Sequence, residues 1–358
     1  MINFTVGPVQ SSESVREVGF QQVPYFRTPE FSSVMKENEK FILEFANAPQ
    51  NSRAVFITGS GTASMEATII NVLNNDDNVL IVNGGTFGER FVELAKIHGI
   101  KYTEIKLDAG QTLTEEILSE YENQSFSAFL VNLHETSTGV LYDIELIKSF
   151  CLKNRLLLIV DAISCFLAEN IDMDKQYIDV LITGSQKALA CPPGISVIAL
   201  SPKAIDRVNQ NPTKCMYLDL KSALKNGERG QTPFTPAVGI LNQINVRLRN
   251  ISLNGGVMSE IERVKSLATY FRDRIKHFPF KEFATTPSNA VTALEVKNDS
   301  AYTIFETLKD EYGIWVCPNG GALKERVFRV GHIGDLSFDD YDKLISALND
   351  MLKRGIIK

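Results

Sequence analysis

Val180-Leu181-Ile182-Thr183-Gly184-Ser185-Gln186-Lys187-Ala188-Leu189-Ala190-Cys191-Pro192-Pro193-Gly194 is the stretch from which the rest of the chain is read. The apolar run Val180-Leu181-Ile182 has the look of a buried strand. It ends in small polar residues that deliver one lysine, and a Pro-Pro-Gly turn then reverses the chain. The end of a buried strand is an odd place for a solvated charge. It suits an amine that must react with a carbonyl, because such an amine has to be partly desolvated, or set near other cations, to be partly neutral. Read alone, Lys187 is an ordinary surface lysine at a strand end, and its neighbours in sequence reverse that order.

Upstream, a strand–loop–helix unit recurs. Ala54-Val55-Phe56-Ile57 runs into Thr58-Gly59-Ser60-Gly61-Thr62, and a helix starts near Ala63. Free backbone N–H groups and the helix dipole favour a phosphate at such a turn. The dinucleotide fingerprint needs a third glycine where Ser64 stands, and the Walker loop needs a lysine that is absent. A tight turn that simply needs glycine is the competing reading. Asn78 to Asn83 is the next strand, followed by Gly84-Gly85-Thr86-Phe87-Gly88. Phe87, among small residues, suits either a ring stacked on a flat cofactor or a core position. Lys101 to Ile105 reads as a strand and Leu113 to Tyr121 as a helix. Ala128 to Leu133 ends in His134-Glu135-Thr136-Ser137-Thr138-Gly139, and Leu156 to Val160 ends in Asp161. An aspartate after five aliphatic residues is costly to bury without a positive partner. The repeat predicts an α/β fold with a mostly parallel sheet. Sites in such sheets gather beyond the carboxyl ends of the strands, which puts Ser60, Phe87, Thr136, Asp161 and Lys187 at one rim.

Downstream, Ile195 to Leu200 continues the sheet, and Thr232-Pro233-Phe234-Thr235-Pro236 breaks regular structure. Val238 to Ile251 reads as a helix, and a longer one, roughly 257–278, leads to a second domain. That domain reads strand (290–296), helix (301–312), strand (314–317), strand (327–331) and helix (338–354), with Ser337 as the last helix's N-cap. Arg329 alternates with apolar residues on the fourth of these. It is a surface residue on its own, and a fork for a carboxylate if it lies near an active site. Near the start, Phe4-Thr5-Val6-Gly7-Pro8 reads as an arm, and Phe31, Val34, Met35, Phe41, Ile42 and Phe45 form a helical stripe. The expected division is an N-terminal arm over 1–20, a large domain over 21–254 and a small domain over 255–358.

At 358 residues, two domains are the natural division. The net charge of −6 and the absence of a basic block argue against nucleic acid and acidic membranes as partners. Five cysteines without a CxxC pair read as reduced thiols of a cytoplasmic protein. No metal site, signal peptide or membrane-spanning run is expected.

A phosphate cup, an aromatic plate, a buried carboxylate, a reactive lysine and a carboxylate-binding arginine are what pyridoxal 5'-phosphate chemistry requires. Lys187 would hold the cofactor as a Schiff base, and Asp161 would keep the ring nitrogen protonated. From Val6-Gly7-Pro8 to Arg329 and beyond, the chain also resembles the class V aminotransferases of the fold-type I pyridoxal phosphate superfamily, in the alanine–glyoxylate and serine–pyruvate branch. Gly184-Ser185-Gln186-Lys187-Ala188-Leu189 with Pro192-Pro193-Gly194 carries the resemblance most specifically.

The resemblance implies a cofactor imine at Lys187 and a phosphate contact near Gln186. It implies a phosphate turn at Ser60-Gly61-Thr62, a stacking aromatic at Phe87, and a hydroxyl near the ring's phenolic oxygen at Thr136. Asp161 takes the ring nitrogen, Ile163 the opposite ring face, and Arg329 the substrate carboxylate. Thr232 and Thr235 align with positions that reach the phosphate of the neighbouring subunit, so a homodimer with shared sites is implied. The implied fold is a large domain with a mainly parallel seven-stranded sheet, plus a small C-terminal α/β domain. The expected activity is ping-pong transfer of an amino group from alanine or serine to glyoxylate or pyruvate. The rival within the fold is 2-aminoethylphosphonate–pyruvate transaminase. A further rival is a lyase of the desulfurase type, for which Cys317 is the candidate thiol, although its strand position reads as core. A nucleotide-binding module built on the Ser60 turn leaves Lys187 and Asp161 without a task. A non-catalytic binder is at odds with intact Asp161, Lys187 and Arg329. Tyr25, Arg27 and His332 are further candidates near the entrance, with Arg27 more in the character of a structural partner.

Overall fold

The computed structural model describes residues 1–297 and 300–357. The chain opens with strand β1 (Ile2–Asn3), helix α1 (Glu13–Gly19) and helix α2 (Pro29–Phe45). Thr28 caps α2 by accepting from Phe31 N, and Pro29 sits in the first turn, where its missing N–H costs nothing. Alternation follows through β2 (Arg53–Thr58), α3 (Gly61–Val72), β3 (Asn78–Asn83), α4 (Thr86–Ile97), β4 (Lys101–Lys106), α5 (Glu115–Ser119) and β5 (Ala128–Asn132). A small hairpin, β6 (His134–Glu135) with β7 (Val140–Leu141), leads to α6 (Ile144–Asn154) and β8 (Leu157–Asp161). Strands β9 (Val180–Gly184) and β10 (Ile195–Leu200) complete the series. Four helices come next: α7 (Pro202–Gln210), α8 (Leu220–Gly227), α9 (Val238–Leu253) and α10 (Gly256–Arg274). The last part holds β11 (Phe280–Glu282), β12 (Val291–Val296), α11 (Ala301–Tyr312), β13 (Ile314–Trp315), β14 (Cys317–Pro318), β15 (Val327–Gly331) and α12 (Phe338–Lys353).

Seven strands form the large sheet in the order β2-β10-β9-β8-β5-β3-β4. Neighbours from β9 to β4 are parallel, and β10 runs antiparallel to both β9 and β2. The mainly parallel sheet is therefore as expected. β10 is the exception because the reversing loop 185–194 holds no crossover helix, and a parallel return needs one. The apolar runs are continuous because both faces are covered. Phe56, Leu80, Val131, Leu158 and Val160 face one core, while Val55, Ile57, Ile81, Leu130, Ile159 and Ile182 face the other.

A four-stranded antiparallel sheet, β11-β12-β15-β14, makes the separate small domain, cored by Phe271, Phe328, Tyr341 and Leu344. The capping box of Ser337 and Asp340 starts α12 as the serine predicts. Several details differ from expectation. The stretch 314–317 is two strands rather than one: β13 pairs with β1, and β14 pairs with β15. α10 ends at Arg274 rather than near 278, and α5 is confined to 115–119. β11 and the β6–β7 hairpin have no counterpart in the reading, because strands of two or three residues carry no periodicity. Phe4 joins the small-domain core, whereas Val15 of α1 joins the large one. Among the described residues no helix is long and apolar enough to cross a membrane.

Candidate active site

Lys187 stands in the loop between β9 and β10, and one serine staples that loop shut. Ser185 Oγ donates to Pro192 O at 2.7 Å and accepts from Ile195 N at 3.3 Å, while Ser185 O accepts from Cys191 N at 2.9 Å. Ala190 takes a left-handed φ of 49° to close the turn. The Lys187 side chain is buried, and its Nζ donates to Val6 O at 2.7 Å. Gly7 lies against it so closely that a Cβ there would be 2.7 Å from Lys187 Cδ, and its φ of 133° also calls for glycine. Burial pushes the amine down to about 8, with Arg329 adding to the effect and Cys317 and Asp161 opposing it.

Asp161 ends β8 and is buried. Its Oδ1 accepts from Ile163 N at 2.9 Å and its Oδ2 from Asn132 Nδ2 at 3.0 Å. Asn132 is its register partner on β5, so sheet pairing itself aims the amide. Burial pushes the carboxyl up to about 6 in spite of these two bonds. Among the described residues no lysine or arginine forms an ion pair with it. Ile163 turns back toward the phosphate turn: a Cβ on Gly61 would be 2.2 Å from Ile163 Cδ1, so any side chain there would push Ile163 out of its place.

Arg329 projects from β15 with its guanidinium buried. Its Nη1 donates to Thr136 O at 2.9 Å and its Nη2 to Pro318 O at 2.6 Å. The Nε is buried without a partner, and each Nη keeps a second hydrogen. Three of the five guanidinium N–H donors are thus left to bind something else. Cys317 is the register partner of Arg329 and is half-buried rather than a core residue. Thr136 Oγ1 donates to Ser164 Oγ at 3.0 Å, and Ser164 in turn contacts His134.

The phosphate turn forms the other wall. Ser60 is the exposed N-cap of α3, and no side chain caps the helix's first N–H groups. Gly59 N donates to Gly194 O at 2.8 Å, which ties this turn to the Lys187 loop. Thr62 Oγ1 accepts from Arg90 Nη1 at 3.2 Å, and the same guanidinium lies 4.9 Å from the centre of the half-buried Phe87 ring. Phe87 N and Gly88 N both donate to Glu135 Oε2 at 3.1 Å. Gln186 Oε1 is buried with no partner.

The fold thus brings Lys187, Asp161, Thr136 and Arg329 together and joins them to Gly61 through Ile163. Thr232 and Thr235 stand apart on the loop before α9. Thr232 is buried with its hydroxyl donating to Phe234 O, and Thr235 is exposed. Arg27 braces that loop through Gln231 Oε1, Thr232 O and Pro233 O, a structural task. Tyr25 is exposed, and His332 is buried between Thr292 and Tyr341 in the small domain. Asn132, His134, Glu135, Ser164 and Val6 escape the sequence-based reading. The only signal was the crowding of polar residues, His134 and Glu135 among them, at the end of a buried strand.

These groups fit pyridoxal phosphate. A buried carboxylate short of a cation matches a protonated ring nitrogen, and a near-neutral buried amine matches an aldehyde. Uncapped helix N–H groups match a phosphate, and the free guanidinium donors match a substrate carboxylate.

Comparison with known proteins agrees. The family described as Aminotransferase class-V matches residues 25–322. An uncharacterized aminotransferase of Methanocaldococcus jannaschii is 33% identical, over 86% of this chain and 81% of that one. The L-aspartate–glyoxylate aminotransferase of Paracoccus denitrificans is 27% identical, over 93% and 86%. The crystal structure of an alanine–glyoxylate aminotransferase from Nostoc sp. superimposes with a TM-score of 0.91 at 25% identity, covering 98% of this chain and 95% of that one. With the match running through the phosphate turn, Asp161 and the Lys187 loop, the chain belongs to the class V aminotransferases, enzymes of the EC 2.6.1 type that work with pyridoxal phosphate.

Proposed function

We propose that this aminotransferase moves the amino group of a small amino acid, alanine or serine, to a 2-oxo acid, glyoxylate or pyruvate, in two half-reactions. The observation that carries the reading is the shared burial of Lys187, Asp161 and Arg329. It joins an amine pushed down to about 8, a carboxylate without a cation and a guanidinium with three donors free. When bound, pyridoxal phosphate supplies a carbonyl that condenses with amines and a ring that takes up the electrons released at the substrate Cα.

The chain's own residues do the rest. Asp161, held by Asn132 and Ile163 N, keeps the ring nitrogen protonated. Lys187 Nζ takes the proton from Cα and returns it on the other side of the reaction, a task for which a near-neutral amine is suited. Arg329 Nε–H and one Nη–H grip the substrate carboxylate side by side. Ile163 and Phe87 enclose the ring, and Thr136 faces its phenolic oxygen. Ser60, Gly61, Thr62 and Gln186 receive the phosphate at the start of α3.

Thr232 and Thr235 are assigned to the phosphate in a partner's site, within a homodimer that shares its active sites. The proposed location is the cytoplasm. The close packing of Val6 and Gly7 against Lys187 supports a short substrate side chain. Glyoxylate as acceptor has support from the names of two of the relatives, whose donors differ.

The test is an absorbance scan of the loaded enzyme with amino donors added one at a time. Alanine or serine is expected to remove the visible band, and glyoxylate or pyruvate to restore it. A protein bleached only by 2-aminoethylphosphonate, or one that releases sulfide from cysteine, would refute the assignment.

A further inference from the structure

His134 is a buried titratable group beside the site to which the proposed reaction gives no task. It is fully buried at the start of the β6–β7 hairpin, and its Nε2 has no partner. Its other nitrogen, Nδ1, lies 2.9 Å from Ser164 Oγ, and its carbonyl oxygen lies 3.1 Å from the same atom. Ser164 Oγ also meets Thr136 Oγ1 at 3.0 Å.

A hydroxyl has one hydrogen and two lone pairs, so these partners saturate Ser164. If its hydrogen goes to the His134 carbonyl, Nδ1 must carry a hydrogen and donate back. If it goes to Nδ1, the ring hydrogen sits on Nε2. In both cases His134 consumes the only hydrogen of Ser164. Thr136 then has to donate to Ser164, which leaves both Thr136 lone pairs for the active-site side. The Thr136 backbone is fixed separately, because its carbonyl accepts from Arg329. The charged groups that act on His134 are Lys187, Arg329 and Arg272. Together with burial, the largest cause, they push the imidazole down to about 3, so the ring stays neutral.

We propose that His134 and Ser164 are positioning residues that hold the Thr136 hydroxyl as a hydrogen-bond acceptor toward the cofactor. This rests on the reading that Thr136 faces the ring's phenolic oxygen. An acceptor there opposes the ionised phenolic oxygen and favours the protonated form of the bound cofactor. Without the imidazole, the Ser164 hydrogen is held only by the backbone carbonyl of residue 134, and Thr136 competes for it. To the extent that Thr136 accepts it, the Thr136 hydrogen turns to the cofactor and the preference weakens.

The experiment follows the visible band of the loaded enzyme against pH in variants matched for melting temperature. His134→Leu and Ser164→Ala are each expected to lower the titration midpoint, by about 1 pH unit. His134→Asn keeps a polar atom where Nδ1 stands and is expected to titrate like the parent. In a Thr136→Val background, His134→Leu is expected to add no further shift. Coloured His134→Leu protein with the parent's midpoint would overturn the proposal, as would a His134→Asn shift equal to that of His134→Leu. If His134→Leu does not fold, Ser164→Ala decides by the same shift. Protein that never acquires colour would overturn the cofactor reading itself, whereas coloured protein with unmoved midpoints overturns the relay alone.

Discussion

Lys187 is an amine that burial pushes down to about 8, and this sets the pH at which the apoprotein takes up its cofactor. Only the neutral amine attacks an aldehyde, so the loading rate is expected to rise with pH and level off above about 8. Below that point it falls about tenfold per pH unit as the ammonium takes over. Stopped-flow absorbance gives the profile, and a rate independent of pH from 6 to 9 would contradict it. Asp161 makes the complementary case. Its folded value of about 6 lies above the ordinary aspartate value of 3.8. The stability linked to its proton is therefore fully present below 3.8 and is lost as pH rises through about 6. Asp161→Asn removes that loss. The apo variant is expected to be more stable than the apo parent above pH 6, by about 3 kcal/mol, with the gap closing toward pH 4. Denaturant melts at both pH values check it. Transamination by the same variant is expected to fall by about a hundredfold or more, because the ring nitrogen loses its anionic partner. A gain in stability with a loss of rate is the signature of a carboxylate kept for the cofactor.

Helix α4 shows how one element borrows a cap from another. Its N-cap is Gly85, which has no side chain to offer, and its first N–H groups instead meet the Glu135 carboxylate arriving from β6. A negative charge at a helix N-terminus is favourable, and Ser137 holds the carboxylate in place. Glu135→Gln is expected to cost about 1–2 kcal/mol, read by chemical denaturation, and to loosen Phe87. A variant as stable as the parent would mean that the first turn of α4 is satisfied otherwise. The same element marks where the sequence stops being legible. Continuous runs such as Leu157–Val160 announce their strands, and Asp161 and Lys187 stand out because they break those runs. Glu135 and Phe87 are 48 residues apart, and Thr136 and Ser164 are 28 apart. No local pattern links such pairs, so the cap and the His134–Ser164–Thr136 chain emerge only from the fold. Asn132 was not legible as a site residue, because its bond to Asp161 depends on strand register. Cys317 misled for the opposite reason. A strand position suggested core, whereas the strand ends at the small sheet's edge beside Arg329.

Over the whole molecule, large apolar side chains remain on the surface. Phe20 is 90% exposed, Met216 79% and Tyr25 69%. Phe20 and Tyr25 lie between α1 and α2, and Met216 lies next to Tyr217, whose ring stacks on Phe234 in the loop that carries Thr235. Exposed apolar surface beside an exposed threonine that the proposed chemistry assigns to a phosphate is what a partner subunit would cover. In a homodimer, the Lys187 of one protomer then works with the Thr235 of its partner. Two individually inactive variants are therefore expected to rescue one another. Lys187→Ala removes the amine. Thr235→Asp sets a negative charge against the phosphate, where like charges repel. A mixed dimer holds one intact site, with Lys187 from one variant and Thr235 from the other, and one doubly defective site. After subunit exchange at equal concentrations, about one quarter of the parent's activity is expected to return, since half the dimers are mixed and half of their sites are intact. Equal activity of the mixture and its separate components, measured once a tagged pull-down has verified exchange, would mean that each protomer builds its site alone.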